Sequence, residues 1–210
     1  MLKPLGYSNK EIRNLKELQP MLFDQAWFQK IKNPEKIAAY YIYRNVKKEK
    51  GLRFDITVIP PKILGKEFVK TKGNRNSDNF LEIYTVLQGQ AIFLLQKMAG
   101  EKIQDIVAIK AKKGDFVIDP VGYYIVSINP TNKILKLGNW ISEKNKNIYK
   151  VMEEKHGAGY YYTQAGWIKN KNYSKVPRLK FKRPGDEIGK HAGFRSLCRK
   201  AWEFKSPPGH

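Results

Sequence analysis

The central part of the chain is a series of short, strand-like segments, and this series constrains the fold more than any other feature. The segments span residues 54–59, 80–87, 91–96, 103–109, 116–118, 124–128 and 134–140, and they are rich in β-branched or aromatic residues. Turn-forming pairs such as Gln88-Gly89 and Asn129-Pro130 separate them. Many short strands at this spacing are typical of a sandwich or a barrel. The sequence therefore predicts a mainly β domain.

The two ends of the chain carry different signals. Ser8 and Glu11 have the spacing of a capping box, which predicts a helix that runs to Pro20. Further helical pieces are predicted over residues 21–31 and 148–155. We therefore divide the chain into a helical N-terminal segment that packs on the barrel (1–50), the barrel itself (51–174) and a basic C-terminal extension (175–210).

The charge balance is strongly basic. The 210 residues include 40 Lys and Arg against 19 Asp and Glu, which gives a formal net charge of +21. The excess is spread over the middle of the chain and both ends. Such a charge is self-repulsive in a free protein and favours a polyanionic partner, first a nucleic acid and second an anionic membrane surface. A solvated lysine-rich surface that reflects a compositional bias is the alternative.

Cysteine and histidine are scarce. The one cysteine, Cys198, excludes an intramolecular disulfide framework and a Cys-rich zinc or iron–sulfur module. The three histidines are His156, His191 and His210, so no His-rich metal site can form upstream of them. The longest apolar runs are strand-sized, and the first residues do not resemble a secretory signal. We expect an intracellular protein, cytoplasmic or organellar, without a membrane partner.

Turn residues within the strand region have a specific spacing. Gly114 is followed after five residues by Pro120, which is followed by Gly122 and then by Ile125. This spacing resembles the second motif of the cupin superfamily, in which a histidine occupies the position of Ile125. Glycine and proline at these positions serve the turns of a barrel. The resemblance implies a cupin double-stranded β-helix, or jelly-roll barrel.

The first cupin motif is present in a similar, altered form. Glu82 followed seven residues later by Gly89 resembles the end of that motif, and Asn74 and Asn76 correspond to its paired histidines. The resemblance implies that the histidines and the glutamate converge on one metal ion inside the barrel, and three of these four ligands are missing here. A polar loop rich in turn formers is the alternative interpretation of residues 73–79.

Further matches narrow the resemblance to one family. Thr71-Lys72-Gly73 and Glu82-Ile83-Tyr84 resemble the cupin-type glucose-6-phosphate isomerases of archaea and some bacteria. Asn139-Trp140 is similar to the bacterial branch of that family. The match extends over about residues 50–180. The chain is identified as a degenerate member of this family that lacks the metal-binding histidines.

The resemblance implies the interconversion of glucose 6-phosphate and fructose 6-phosphate. Glu82 corresponds to the glutamate that moves protons, and Tyr84 to a nearby active-site tyrosine. Thr71 and Gly73 correspond to the loop that contacts the phosphate. Tyr149 corresponds to another tyrosine near that phosphate.

The departures from the family's pattern fall on the metal site. An amide such as Asn74 or Asn76 is a poor ligand for soft divalent ions, and Ile125 offers no lone pair. Stabilisation of the developing enediolate is usually the largest contribution to such a reaction, so loss of the metal costs orders of magnitude in rate. We therefore expect loss of the ancestral divalent metal, no cofactor and no catalysis. Retained isomerase activity and small-ligand binding in the barrel are the alternatives.

The tail interleaves cations with apolar and aromatic side chains. Cations neutralise phosphates while aromatic rings and arginine planes stack on exposed bases, so the pattern favours RNA. The candidate RNA-binding residues are Arg178, Lys180, Lys182, Arg183, Arg195, Arg199, Lys200, Trp202 and Lys205. A short edge strand is the alternative interpretation of residues 178–184.

Composition and analogy together lead to one expectation about partners. We expect a basic structural component of a ribonucleoprotein, foremost the ribosome, with ribosomal RNA and neighbouring ribosomal proteins as partners. The homodimer of barrels that the family resemblance implies is the alternative assembly.

Overall fold

Two six-stranded sheets and a four-stranded sheet make up the computed structural model, which describes residues 9–78, 80–186 and 188. The strands are β1 (Lys10–Asn14), β2 (Ala38–Glu49), β3 (Leu52–Ile59), β4 (Ile63–Leu64), β5 (Glu67–Phe68), β6 (Asn74–Asn76), β7 (Glu82–Gln88), β8 (Gln90–Ala99), β9 (Lys102–Lys112), β10 (Phe116–Asp119), β11 (Tyr123–Ile128), β12 (Leu135–Ser142), β13 (Asn147–Ile148), β14 (Tyr160–Thr163), β15 (Gly166–Lys169) and β16 (Lys180–Lys182). The α-helices are α1 (Leu15–Leu18), α2 (Gln25–Phe28) and α3 (Lys150–Glu154). Within the described ranges, no helix has the length and apolar character needed to cross a membrane.

The strand order is that of a jelly roll. The front sheet has the order β1-β2-β3-β12-β7-β10, and the back sheet has the order β13-β6-β11-β8-β9-β16. Neighbours such as β3 and β12 are far apart in sequence, because the chain passes between the two sheets. The mainly β, cupin-type jelly roll is confirmed, and each of the predicted segments contributes to a strand.

The main hydrophobic core lies between the front and back sheets. Val86 and Leu137 of the front sheet belong to the same buried cluster as Phe93, Leu95 and Ile125 of the back sheet. None of these five side chains is more than 2% exposed. Burial of each such side chain contributes roughly 1.5–3 kcal/mol. This layer therefore holds the two sheets together.

The outer face of the back sheet is covered by the segment that follows the barrel strands. Tyr124 and Val126 point away from the main core and pack with Met152, Ala158 and Tyr173. Met152 lies on α3, so the short helix predicted over residues 148–155 is confirmed.

The start of the chain differs from the prediction. Lys10–Asn14 is strand β1, which pairs with β2, and Ser8 lies outside the described residues. The capping box is formed by Asn14 and Glu17, whose side chains bond to each other's backbone N–H at the start of α1. The helix predicted from Ser8 is therefore wrong, because Asn14-x-x-Glu17 offers the same capping chemistry where the strand ends.

The rest of the first 50 residues is also less helical than predicted. The helix expected over residues 21–31 is reduced to α2, where the Asp24 side chain accepts from the Trp27 N–H. Ala38–Glu49 is strand β2, which pairs with β3. Alternate side chains of β2 pack into two different hydrophobic clusters. Tyr40 belongs to the main core, and Tyr43 belongs to a separate cluster on the other face of the strand. Burial on both faces favours a strand here, so this segment completes the front sheet.

The C-terminal extension begins as an edge strand. β16 pairs in parallel with β9, with Phe181 opposite Ala108, which confirms the edge-strand interpretation. Leu179 is 9% exposed and packs on the back sheet, whereas Phe181 is 62% exposed. The remaining candidate RNA-binding residues, which are Arg195, Arg199, Lys200, Trp202 and Lys205, lie outside the described residues.

A close approach inside the front sheet gives a test of this packing. A Cβ at Gly138 on β12 would overlap the ring of Phe54 and come within 3.2 Å of Leu87 Cδ1. We expect Gly138→Ala to lower the free energy of unfolding by about 1–3 kcal/mol in urea denaturation, because overpacking forces the ring to shift. Phe54→Leu is the matched control. In that background, Gly138→Ala should lower the free energy of unfolding by a smaller amount. An equal loss in both backgrounds would contradict the contact.

Candidate functional site

A buried carboxylate lies between the two sheets. Glu82, at the start of β7, is 5% exposed. Its Oε1 accepts from Asn139 Nδ2 of the front sheet at 2.5 Å, and its Oε2 accepts from Asn76 Nδ2 of the back sheet at 3.2 Å. The Tyr84 hydroxyl is close enough to the same carboxylate to lower the pKa of Glu82. Amide donors thus converge on Glu82 from both walls of the barrel.

The surroundings of Glu82 shift its titration towards neutral pH. Burial raises the pKa of Glu82 to about 7, although hydrogen bonds from Asn76 and Tyr84 and the charge of Arg44 lower it. Burial and the charge of Glu82 hold the pKa of the Tyr84 hydroxyl well above its usual range. Glu82 therefore has the protonation behaviour of a group that can both accept and donate a proton near pH 7.

A second buried carboxyl group lies beside Glu82, and the sequence interpretation missed it. Asp119 on β10 is opposite Glu82 in the sheet register and is 0% exposed. Its Oδ2 lies 3.4 Å from Asn76 Nδ2, and its Oδ1 has no hydrogen-bond partner among the described residues. Burial and the charge of Glu82 raise the pKa of Asp119 well above its usual range. The signal that could have found it is an acidic residue at the end of an apolar strand, directly before Pro120.

Hydrogen bonds between side chains connect Glu82 to the outer part of the site. Beyond its bond to Glu82, Asn76 accepts through Oδ1 from Asn145 Nδ2 at 3.0 Å. Asn145 Nδ2 also lies 3.0 Å from Asn147 Oδ1, and Asn147 Nδ2 donates to the Tyr149 hydroxyl at 3.2 Å. Asn74–Asn76 is strand β6, so the polar-loop interpretation of residues 73–79 is wrong for these three residues, while Ser77 and Asp78 form a bend and a turn. Pairing of β6 with β11 and β13 supplies the backbone partners that a loop would lack.

One pocket contains most of the predicted site residues. Those that line it are Thr71, Gly73, Asn74, Glu82, Tyr84, Ile125 and Tyr149. Asn76 is 4% exposed and lies behind the pocket wall, hydrogen-bonded to Glu82. The structure thus brings the predicted proton-transfer residues and the predicted phosphate-contacting residues into one cavity.

The predicted phosphate loop is fixed by backbone contacts with β11. Thr71 N donates to Ser127 O at 2.9 Å, and Ser127 N donates to Thr71 Oγ1 at 3.0 Å. Gly73 has a φ of +81°, and a Cβ there would lie 2.7 Å from Val126 Cγ2. Only glycine tolerates both the left-handed backbone and this close approach. A ligand can therefore approach the loop backbone at short range.

A lysine also lines the pocket at this loop. Lys72 Nζ lies 4.6 Å from the centre of the Tyr149 ring and 3.1 Å from Glu153 Oε1. The Lys72 backbone N–H donates to the Tyr40 hydroxyl at 3.3 Å. The loop end of the pocket thus combines the Lys72 cation with the Tyr149 hydroxyl, which is chemistry suited to a phosphate group.

Two arginines on the front sheet were also missed. Arg44 Nη1 lies 2.9 Å and Arg53 Nε 3.1 Å from Asp55 Oδ2, and both arginines line the pocket. Burial lowers the pKa of Arg44, but the hydrogen bond and charge of Asp55 outweigh it, so the pKa rises. In the sequence, an aspartate within the apolar strand over residues 54–59 indicates that a buried charge needs partners. Which arginines become the partners of Asp55 depends on the pairing of β2 with β3.

The residues at the family's ligand positions do not fit the divalent metal that the resemblance implies. Asn74 pairs with Ile125 across β6 and β11, and the Ile125 side chain is 2% exposed in the main core. Asn76 turns its amide N–H, a donor, towards Glu82. Among the described residues, no group of three or more His, Cys, Asp or Glu side chains is placed to hold a metal ion. Glu82 and the adjacent Asp119 are two carboxyl groups, and by themselves they do not supply the ligand set of such a site.

Comparison with known proteins identifies the family to which the chain belongs. A family model described as glucose-6-phosphate isomerase (GPI) matches residues 12–178. The chain belongs to the GPI family. The matched range includes the pocket, the buried carboxyl groups and the strands that carry them. The departures at Asn74, Asn76 and Ile125 are therefore departures within a GPI relative.

Archaeal GPI proteins are similar over part of the chain. The glucose-6-phosphate isomerase of Pyrococcus abyssi is 31% identical over 97 residues, which is 45% of this chain and 51% of that protein. The glucose-6-phosphate isomerase of Thermococcus litoralis is also 31% identical over 97 residues, with the same coverage. The chain spans about half the length of the curated relatives that it matches.

Solved cupin structures resemble the barrel more weakly. An oxalate oxidase shares 10% identity at a TM-score of 0.46, over 60% of this chain and 63% of that one. The Schizosaccharomyces pombe Cnp3 cupin domain shares 14% identity at a TM-score of 0.37, over 49% of this chain and 60% of that one. Since both scores are below 0.5, these likenesses carry no argument about function.

The pKa of Glu82 gives a test of its environment. The protonated form is favoured in the folded barrel, so stability should be greatest below the ordinary pKa of 4.5 and should fall as the pH rises towards about 7. Between pH 5 and pH 8, the unfolding free energy of Glu82→Gln relative to the wild type should rise by roughly 2–3 kcal/mol in urea denaturation.

Glu35→Gln, at an exposed carboxylate, is the matched control and should follow the wild type across the same range. A difference between Glu82→Gln and the wild type that stays constant with pH would show that Glu82 does not titrate in this window.

Proposed function

We propose that this GPI relative binds a phosphorylated sugar in the barrel pocket without performing the metal-assisted isomerisation of its family. The observation that carries the proposal is the placement of Thr71, Gly73 and Tyr149 in the same pocket as Glu82. The family resemblance assigns the first three residues to the phosphate and Glu82 to the reacting carbons. The pocket therefore has the two ends that a sugar phosphate requires.

The phosphate end has the chemistry for anion binding. The rigid loop at Gly73 brings the backbone close to a ligand, and Lys72 adds a positive charge beside the Tyr149 ring. Lys72 is paired with Glu153, whose side chain is 46% exposed, so a phosphate can compete for the ammonium group. Charge-assisted hydrogen bonds to a phosphate are stronger than those to a neutral group.

The sugar end lacks the means to stabilise an enediolate through a metal. Glu82 has the pKa of a proton acceptor near neutral pH, so proton abstraction alone is within its chemistry. The larger contribution is stabilisation of the charge that develops on the sugar oxygens, worth several kcal/mol when a metal supplies it. With Ile125 and the N–H of Asn76 at ligand positions, the barrel supports binding and not turnover.

Calorimetric titration with glucose 6-phosphate tests this proposal. We expect saturable binding that requires the phosphate, with glucose itself showing no measurable affinity. Lys72→Met should weaken binding about 5–10-fold, because a hydrogen bond to a charged group contributes about 1.5 kcal/mol or slightly less at a solvent-accessible site. Lys32→Met, at an exposed lysine outside the pocket, is the control and should bind like the wild type.

A coupled assay of isomerase activity tests the second half of the proposal. We expect no turnover above background, with or without added divalent metal. Turnover that Glu82→Gln abolishes would contradict the loss of catalysis and support the active-isomerase alternative. Absence of glucose 6-phosphate binding to the wild type would contradict the sugar-phosphate pocket.

We also propose that the basic surface binds RNA, which would make the chain a structural component of a ribonucleoprotein. Arg178, Lys180, Lys182 and Arg183 are all exposed, and they surround Phe181, which is 62% exposed. Of these cations, Lys180 pairs with an acid among the described residues, at 2.8 Å from Asp105. Exposed cations around an aromatic ring at a sheet edge can contact phosphates and stack on an unpaired base.

The ribosome is the particle that this proposal favours, with ribosomal RNA and neighbouring ribosomal proteins as partners. The support is the net charge of +21 on 210 residues, which a polyanionic environment would neutralise. An intracellular location, in the cytoplasm or an organelle, follows from the same proposal. The homodimer of barrels is the competing assembly.

Salt-dependent binding to single-stranded RNA tests the surface. The triple variant Lys180→Gln, Lys182→Gln and Arg183→Gln should bind more weakly and should reduce the slope of log affinity against log salt by about 2, since each phosphate contact contributes about 0.7. The matched control removes the same charge from exposed Lys30, Lys32 and Lys36. Equal effects of the two triple variants would contradict a specific role for the β16 edge.

A further inference from the structure

The two arginines of the front sheet have donors left for a ligand. Arg44 uses Nη1 for Asp55 and Nε for Glu11, and Arg53 uses Nε for Asp55 and Nη1 for backbone carbonyl oxygens. Within the part of the chain that the structure describes, the Nη2 of each arginine has no acceptor. A guanidinium group presents its donors as a rigid fork that matches a carboxylate. This wall of the pocket can therefore bind an anionic group.

The charges on this wall favour an anion. Asp55, which is 0% exposed, is a single carboxylate shared by two guanidinium groups. Glu11, the other acidic partner of Arg44, has a side chain that is 43% exposed, so solvent screens its attraction. Two guanidinium groups therefore face one fully buried carboxylate, and Glu82 in the same pocket, with a pKa of about 7, is partly protonated at neutral pH.

Both arginines line the pocket that contains Glu82. Asn139 donates to Glu82, and in the sheet register it is opposite Asp55 on β3 and Tyr84 on β7. The charge of Arg44 lowers the pKa of both Glu82 and Tyr84, against the burial that raises them. The family resemblance places the metal-bound sugar oxygens at Glu82. In this chain, the Arg44 guanidinium group supplies positive charge to that end of the pocket.

We propose that the pocket binds a phosphorylated sugar acid, with its phosphate at the loop that includes Gly73 and its carboxylate on Arg44 and Arg53. This inference rests on the proposed sugar-phosphate binding and adds a second anionic group to the ligand. The two anchors come from different parts of the fold, a loop next to the back sheet and strands β2 and β3 of the front sheet. A carboxylate can take up the remaining donors of both arginines and add a second buried negative charge to that of Asp55, whereas a hydroxyl adds none.

A matched pair of ligands isolates the carboxylate. Gluconate 6-phosphate and sorbitol 6-phosphate share the chain length and the phosphate, and they differ in a carboxylate against a hydroxymethyl group. By calorimetric titration, the wild type should bind the acid at least 10-fold more tightly than the alcohol. Arg44→Met should reduce affinity for the acid about 10–100-fold and change affinity for the alcohol by less than about 3-fold. Lys72→Met should lower the affinity for both ligands by the same factor, and Lys32→Met should leave both affinities unchanged.

The outcomes separate this inference from the proposed function. If the wild type binds neither ligand, the sugar-phosphate pocket itself is wrong. If the wild type binds both ligands with equal affinity, or if Arg44→Met leaves the ratio of the two affinities unchanged, the carboxylate site is wrong. The sugar-phosphate pocket is not contradicted by either result. Because Arg44→Met removes a partner of buried Asp55, Arg53→Met and Arg44→Lys are measured alongside it. Either variant that folds should lower the ratio, and an unchanged ratio in the folded variant overturns the inference.

Discussion

The carboxylate of Glu82 is held by amide groups from both sheets, and the polar interior of the barrel is arranged around it. Asn139 reaches it from the front sheet and Asn76 from the back sheet. A carboxyl group so deeply buried is stable only with such donors or with a bound proton, and the pKa of about 7 reflects both. The same constraint explains the raised pKa of Asp119, because two adjacent buried carboxyl groups cannot both carry a charge at little cost.

The frame of the GPI family is retained in this chain, while the positions that the resemblance assigns to metal-binding histidines carry Asn74, Asn76 and Ile125. Gly73 remains because a side chain there would collide with Val126, and Gly89 because its Cβ would lie 2.6 Å from the Ile134 carbonyl oxygen. These requirements come from backbone packing and hold whether or not the barrel contains a metal. Positions 76 and 125 have no such backbone requirement, so an amide that bonds Glu82 and an apolar side chain that fills the core can occupy them.

The errors at the N-terminus show the limit of local signals. Ser8 with Glu11 and Asn14 with Glu17 are equally good capping boxes in sequence, and the second one forms. The difference is non-local, since pairing of β1 with β2 satisfies the backbone groups of residues 10–14 as a strand. The strand segments of the barrel were predicted well because β-branched and aromatic runs bounded by turns depend little on distant partners.

The sequence by itself determined the jelly roll, the positions of Glu82 and Tyr84 in their motif, and the absence of histidine from residues 74, 76 and 125. Only the tertiary structure decided which buried charges meet. Asp119 is opposite Glu82, and Asp55 lies between Arg44 and Arg53, because strands distant in sequence are paired in a particular register. Strand pairing sets which side chains share a buried face, and the free energy of burying each charge depends on the partner that this register provides.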